Sequence, residues 1–281
     1  MTEHALPETA GLLRHVRACN NATLPGGRRP VRLGRARIGW VQPAVARRLL
    51  ALGADEDGEA VVLAGPDALS EAAGALALDG FYRPRGEAFD VRATPGGPAL
   101  ARLDRGALPS FGALAWGVHV NGLVRRADGL HLWVARRAAN KPLDPGKLDH
   151  LAAGGVAAGM TVEETLAKEA AEEAGLPAAL AAGARRVATI SYAMDRPEGL
   201  RRDVLACYDL ELPEGFQPRP VDGEVVGFEL WPVGAALERV RRTDAFKFNV
   251  NLVLIDLFLR LGMVPEAEAA AVRAALGATP P

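Results

Sequence analysis

The sequence predicts an α/β chain of the α+β kind, with strands and helices mixed along 281 residues. Three observations carry that expectation. Asp128-Gly129 separates two apolar runs, a strong hairpin signal because both residues tolerate the positive φ of a two-residue turn. Thr161 and Glu164 open a helical stretch as a capping box, and Gly175 closes it. Other short apolar runs, bounded by Gly, Pro, Asn and Asp, alternate with helix-spaced segments on both sides of these landmarks. A chain of this length is comfortable for two domains. We expect a smaller α+β accessory domain at 1–112 and the main domain at 113–281.

In order, residues 9–20 read as a helix with Leu12, Leu13 and Val16 on one face. Residues 20–30 are loop, and 31–41 are extended. Residues 43–52 form a helix with Pro43 near its start, where a missing N–H costs nothing. Residues 60–63 are a short strand and 67–78 a helix stopped near Gly80. Residues 82–91 lead into a strand, the Pro95 to Pro98 run is a tight turn, and 99–103 are the strand after it. In the second unit, 116–125 and 130–136 are the two hairpin strands, followed by a loop at 140–148. The capped helix comes next. Two strands at 185–194 and 202–212, a Pro-rich loop at 214–222, a strand at 225–231 and a helix at 234–241 complete the sheet signals. Residues 248–261 read as an amphipathic helix and 266–276 as a surface helix.

Composition narrows the function classes. Hydrophobic residues make up 49% of the chain, enough for a packed core, and the net charge is −1. That balance supplies no basic field for nucleic acid. Cys19 and Cys207 are the only cysteines, and His4, His15, His119, His131 and His150 are scattered. Neither set has disulfide-framework or zinc spacing. The first residues lack the basic-then-apolar pattern of a secretory signal, and the apolar runs are too short or interrupted to span a bilayer. A cytoplasmic protein without a membrane partner is expected.

The chemistry concentrates between Gly154 and Leu176. Gly154, Gly155 and Gly159 make a permissive turn. On the helix that follows, Glu169, Glu172 and Glu173 stand three and four apart and share a face. Like charges so placed repel, and a hard divalent cation with a preference for oxygen ligands relieves the repulsion. A solvated acidic face is the plain alternative. The agreement of helix start, helix stop, glycine turn and carboxylate spacing weighs against it.

This spacing resembles the Nudix box: Gly, five residues, Glu, seven residues, Arg-Glu, apolar, any residue, Glu-Glu, any residue, Gly, apolar. Gly154, Glu169, Glu172, Glu173, Gly175 and Leu176 match it. Met160 stands at the first Glu, and Lys168 at the Arg, which keeps the charge but loses the guanidinium fork. Trp116 to Gly122, Lys141 to Asp149, Asp209 to Pro213, Asp222 to Val225 and Phe246-Lys247 resemble one two-domain branch, labelled thiamine-pyrophosphokinase-related, together covering most of 110–262. That branch also carries an apolar residue and a Lys at the two departing positions. Its N-terminal likeness rests on Ile38 to Trp40 and on Arg85 to Phe89.

The resemblance implies a mixed sheet between helices, an α/β/α sandwich, and Mg²⁺-dependent hydrolysis of a diphosphate joined to another moiety, with Mn²⁺ as a possible substitute. Thiamine diphosphate and its oxidised forms, cleaved to the monophosphate, are the implied substrates. Glu169, Glu172, Glu173 and the Gly154 carbonyl match metal-ligand positions. Spacing leaves open whether Glu169 or Glu173 acts as general base. Glu224 is either a further metal or base residue or a turn residue. Arg136, Lys141, Lys147 and Lys168 are the candidate phosphate donors, with solvated loop charge as the ordinary reading of Arg136, Lys141 and Lys147; His150 is a weaker candidate whose ordinary role is structural. Tyr192, Trp133 and Phe248 are stacking candidates, with core packing as their ordinary role. The expected partner is a small-molecule diphosphate, and a homodimer is compatible with the sequence.

Three alternatives stay open. The substrate is a nucleoside diphosphate joined to another group, such as ADP-ribose or a nucleotide sugar. The fold is a catalytically silent ligand-binding module, a reading that Met160 keeps alive. The third is isopentenyl-diphosphate-type isomerisation, which needs a cavity cysteine, with Cys207 as the candidate.

Overall fold

A computed structural model describes residues 8–278. Its first helix is α1 (Glu8–Cys19). A four-stranded sheet follows, built from β1 (Arg29–Leu33), β2 (Ala36–Val41), β3 (Asp55–Asp57) and β4 (Ala60–Leu63) in the order β2-β1-β4-β3. Helices α2 (Pro43–Ala51) and α3 (Pro66–Leu78) accompany it. The hairpin of β5 (Ala88–Val91) and β6 (Ala101–Asp104) and the single turn α4 (Leu108–Phe111) complete this region. The stretch expected to be extended at 31–41 is a hairpin instead, because Gly34 takes a positive φ of 56° and folds the chain back.

The larger sheet begins with β7 (Leu114–Arg126) and β8 (Gly129–Arg137), the expected hairpin turning at Gly129. Short strands β9 (Leu148–Asp149) and β10 (Ala152–Gly155) precede α5 (Val162–Ala174) and the turn α6 (Ala178–Ala181). Then come β11 (Arg185–Arg196), β12 (Gly199–Glu211), β13 (Val225–Pro232), α7 (Val233–Arg242), α8 (Val250–Arg260) and α9 (Glu266–Gly277). The sheet order is β11-β12-β7-β8-β13, with β12 parallel to β7 and the other neighbours antiparallel. One edge of β7 is shared: β8 pairs with its second half, and β10 with Gly117 to Val120. That division brings the glycines of β10 into the sheet beside α5.

Side-chain alternation sends successive strand residues to opposite faces. Val118, Val120, Trp133, Ala206 and Tyr208 pack with Leu166, Ala170 and Ala174 of α5. Leu123, Leu132, Val134, Leu205 and Cys207 pack on the other face with α1, α7, α8 and α9. A third core holds the small sheet, α2, α3, the β5–β6 hairpin and α4. The α/β/α sandwich with a mixed sheet, preceded by an α+β region, is therefore the architecture.

Three expectations change. A boundary at 112 puts helix α1 with the accessory region, but Leu12, Val16 and Cys19 lie in the core of α7, α8 and α9. The amphipathic helix at 248–261 starts later and is buried almost all round, with Leu252, Val253, Leu254 and Ile255 all at 0% exposure. The helix expected on the surface, α9, packs on α1 and α8 and buries Ala269 and Val272, which is what covers the outer side of α8.

Candidate active site

Helix α5 forms for local reasons. The Thr161 hydroxyl accepts from the Glu164 amide at 3.1 Å, and the Glu164 carboxylate accepts from the Thr161 amide at 2.8 Å. Gly175 ends the helix at φ 61°, a conformation that costs other residues free energy. The helix and the adjacent strand then fit each other closely. A Cβ on Gly154 would overlap the Glu169 carboxyl group. Neither Gly154 nor Gly155 has positive φ, so space rather than backbone freedom calls for glycine here.

The three glutamates differ in setting. Glu173 is 6% exposed and accepts from the Ala153 amide at 2.8 Å. Burial, with Asp149 and Glu169 nearby, pushes its carboxyl pKa up to about 8 against the opposing Ala153 hydrogen bond. Burial likewise raises Glu169, opposed by Lys168 and reinforced by Glu172 and Glu224. Glu172 is half exposed. Lys168 joins Glu172 at 2.8 Å and Glu169 at 3.1 Å, and the hydrogen bond to Glu172 is the main reason its pKa rises.

Among the described residues, no three carboxylate, imidazole or thiol groups are gathered as a metal cluster; the Lys168 ammonium is the cation between Glu169 and Glu172. The donor set nevertheless suits a hard divalent ion. Two buried or nearly buried carboxylates are destabilised as anions, and the strand beside them has no side chain at Gly154 to fill the space.

The expected phosphate donors separate. Lys141 pairs with Glu224, and Glu224 in turn bears on Glu169, so these two residues and Lys168 belong to the carboxylate cluster. Arg136 does not. Its ion partner Glu229, at 3.9 Å, alternates with Phe228 and Leu230, which pack on the α5 face. Arg136 and Glu229 therefore project on the opposite face. Lys147 turns to Asp144 at 3.7 Å and bears on His15 of α1, again away from α5.

The neighbouring Arg137 is what points inward. It meets Asp149 at 2.6 Å, both 7% exposed, and donates to the carbonyls of Leu143 and Asp144. Lys247 lies 3.8 Å from Asp149 with its side chain 14% exposed, and desolvation lowers its pKa. Burial would raise Asp149, but Lys247 and Arg137 hold it well below the ordinary carboxylate range. His150 is buried against His119, rings edge to face at 5.1 Å. Burial lowers His150 to about 4 and also pushes His119 well below the ordinary histidine value, so neither is charged at neutral pH, and His150 lines this sealed cluster. Sequence reasoning missed Arg137 and Lys247 as members; the signal at hand was that Lys247 is one of only four lysines in an arginine-rich chain.

The stacking candidates are packed. Tyr192 is buried and donates to Asp203, Trp133 is buried, and Phe248 is flanked by Arg196 and Arg201. Cys207 is fully buried on the α8 face, where burial raises its thiol pKa. It faces away from α5, which removes the nucleophile that the isomerase alternative needs.

A mixed sheet between helices, with a carboxylate helix entering from a glycine strand, defines the class of domain. Residues 116–250 match the NUDIX domain model. It is 42% identical over 185 residues to "Nudix hydrolase 20, chloroplastic" of Arabidopsis thaliana, covering 66% of this chain and 50% of that protein. It is 44% identical over 184 residues to "Nudix hydrolase 24, chloroplastic" of the same plant, covering 65% and 50%. The chain thus spans about half the length of these relatives. Among solved structures, DR0079 from Deinococcus radiodurans shares 24% identity over 60% of this chain and 97% of its own, with a TM-score of 0.45. Among the described residues, no helix is long and apolar enough to cross a membrane.

Proposed function

We propose that this protein is a Mg²⁺-dependent Nudix diphosphohydrolase whose substrate is thiamine diphosphate or an oxidised analogue, cleaved to the monophosphate. The observation that carries the hydrolase reading is the seating of Glu169 on Gly154 and of Glu173 beneath the Ala153 amide, which lines two carboxylates of α5 along one strand. The names of the two plant relatives support the same class. The thiamine assignment rests on the branch resemblance across 110–262.

Glu169, Glu172, Glu173 and the Gly154 carbonyl would hold the metal. Bound there, it would offset phosphate charge and make a water molecule more nucleophilic. The chain's own residues do the rest. Lys141 and Lys168 present ammonium groups to phosphate oxygens once they leave their present carboxylate partners. Water adds to one phosphorus, the bridging oxygen leaves with the other phosphoryl group, and a glutamate accepts the proton. Glu224 suits that last task because it is half exposed and anchored outside α5, with Glu169 and Glu173 as the alternatives. The accessory unit is part of the same proposal, with α1 assigned to the Nudix unit.

The test is Mg²⁺-dependent formation of monophosphate products, resolved by chromatography, from thiamine diphosphate, its oxidised analogues, ADP-ribose, nucleotide sugars and dinucleoside polyphosphates, with Glu173→Gln as control. Preference for the thiamine set, lost in the variant, is the expected result. Preference for a nucleotide would replace the substrate and keep the chemistry. Silence across the panel would favour a binding module.

A further inference from the structure

Gly154 and Gly155 are consecutive on β10 and so face opposite sides of the sheet. Each receives a side chain from a different part of the molecule. The Glu169 carboxyl group lies over Gly154, and the Phe89 ring lies over Gly155, where a Cβ would overlap the ring tip. Phe89 belongs to β5, and the Arg105 guanidinium lies 5.5 Å from its ring centroid, close to Gly155 as well.

The same hairpin grips the loop that leads to α5. The Ala158 amide donates to the Ala88 carbonyl at 2.8 Å, and the Gly159 amide to the Asp90 carboxylate at 3.3 Å. Asp90 is itself held by Arg92 at 2.8 Å and by Arg102 at 3.7 Å. The hairpin is tied to β7 as well, since the Trp116 indole donates to the Pro95 carbonyl at 3.1 Å. Gly159 sits at φ 81°, directly before Met160 and the Thr161 cap. At Met160 the loop carries no carboxylate of its own.

We propose that the β5–β6 hairpin is a clamp that sets the Gly154 carbonyl and the entry to α5, with Phe89 and Asp90 as positioning residues for the metal centre. The inference rests on the hydrolase reading above. It makes the N-terminal region a working part of the site, although Phe89 and Asp90 touch no substrate.

The experiment uses the whole 281-residue chain and two readouts, hydrogen exchange of the 155–161 segment and Mn²⁺ binding by electron paramagnetic resonance. Asp90→Ala and Gly155→Ala should speed exchange at Val156, Ala158 and Gly159 and weaken Mn²⁺ binding by about threefold to tenfold, or about 0.7 to 1.4 kcal/mol. Exchange in α8 and β12 should stay as in the wild type. Phe89→Leu shortens the ring tip, so Gly155→Ala with Phe89→Leu should recover both readouts; general loss of folding would not be recovered in this way. Unchanged exchange and binding in Asp90→Ala and Gly155→Ala, or no recovery in the double variant, would overturn the clamp. Glu173→Gln separates the two claims: Mn²⁺ lost there and kept in the clamp variants leaves the hydrolase reading standing without the clamp. If the wild type bound no Mn²⁺, the metal reading and the coupling of the clamp to it would fall together.

Discussion

Two charged clusters border α5, and they have opposite characters. In the open one, Lys168 joins Glu169 and Glu172, and Lys141 joins Glu224, with Lys168, Glu172 and Glu224 about half exposed. In the sealed one, Arg137, Asp149 and Lys247 lie with His119 and His150 inside the protein. Glu173 responds to both, since Asp149 and Glu169 each raise its pKa. Exposed pairs are worth little and rearrange readily. A buried pair is costly to break, because the charge left behind is out of water. The open cluster can therefore exchange its ammonium partners for a ligand, while the sealed one holds Asp149 and the loop carbonyls in one geometry.

The largest effect is expected from breaking the sealed cluster. Asp149→Ala leaves Arg137 buried and Lys247 largely buried without their shared carboxylate, at a cost of about 3–5 kcal/mol. Urea unfolding measures it, and a loss below about 1 kcal/mol would mean that these charges are as solvated as the open ones. Next comes Glu173→Gln, which should lower Mg²⁺-dependent turnover by about 100- to 1000-fold, or about 3–4 kcal/mol of barrier. Its thermal stability without metal should hold or rise, because the glutamine amide oxygen can still accept from the Ala153 amide and no carboxyl group has to be kept protonated by burial. Turnover equal to wild type would place the metal elsewhere.

Acid should act on the sealed cluster through His150. Its folded pKa of about 4 lies below the ordinary histidine value of 6.5, so the unfolded chain binds the proton more readily. The stability from a neutral His150 is present above pH 6.5 and is lost as pH falls toward 4. The full loss is on the order of 3 kcal/mol. His150→Leu should flatten that part of the curve of melting temperature against pH, and an unaltered curve would assign the acid sensitivity to other groups. The smallest effect belongs to the open cluster. Lys168→Met should change stability by less than about 1 kcal/mol, and a larger loss in chemical denaturation would blur the distinction between the clusters.

Part of this contrast was legible beforehand. The α5 helix, its cap, its Gly175 stop and the shared face of its glutamates all follow from residues within one or two turns of each other. The β7–β8 hairpin follows from Asp128-Gly129 in the same way. The phosphate donors are less legible. Arg136 and Arg137 are adjacent and chemically identical, and only the strand's register says which one points inward. Lys247 gave little sign of its place, because its partner Asp149 arrives from a distant strand.

The sequence by itself determined the local elements and the carboxylate spacing, since helix periodicity and capping act over a few residues. It also announced, in Gly154-Gly155, that something must approach the backbone closely. The tertiary structure alone decided what approaches: Glu169 on one face and Phe89 on the other. It decided, too, that α1 leaves the N-terminal region for the α8 core. These outcomes depend on how separate segments bury apolar area and match charges against one another, and no short stretch of sequence contains both partners.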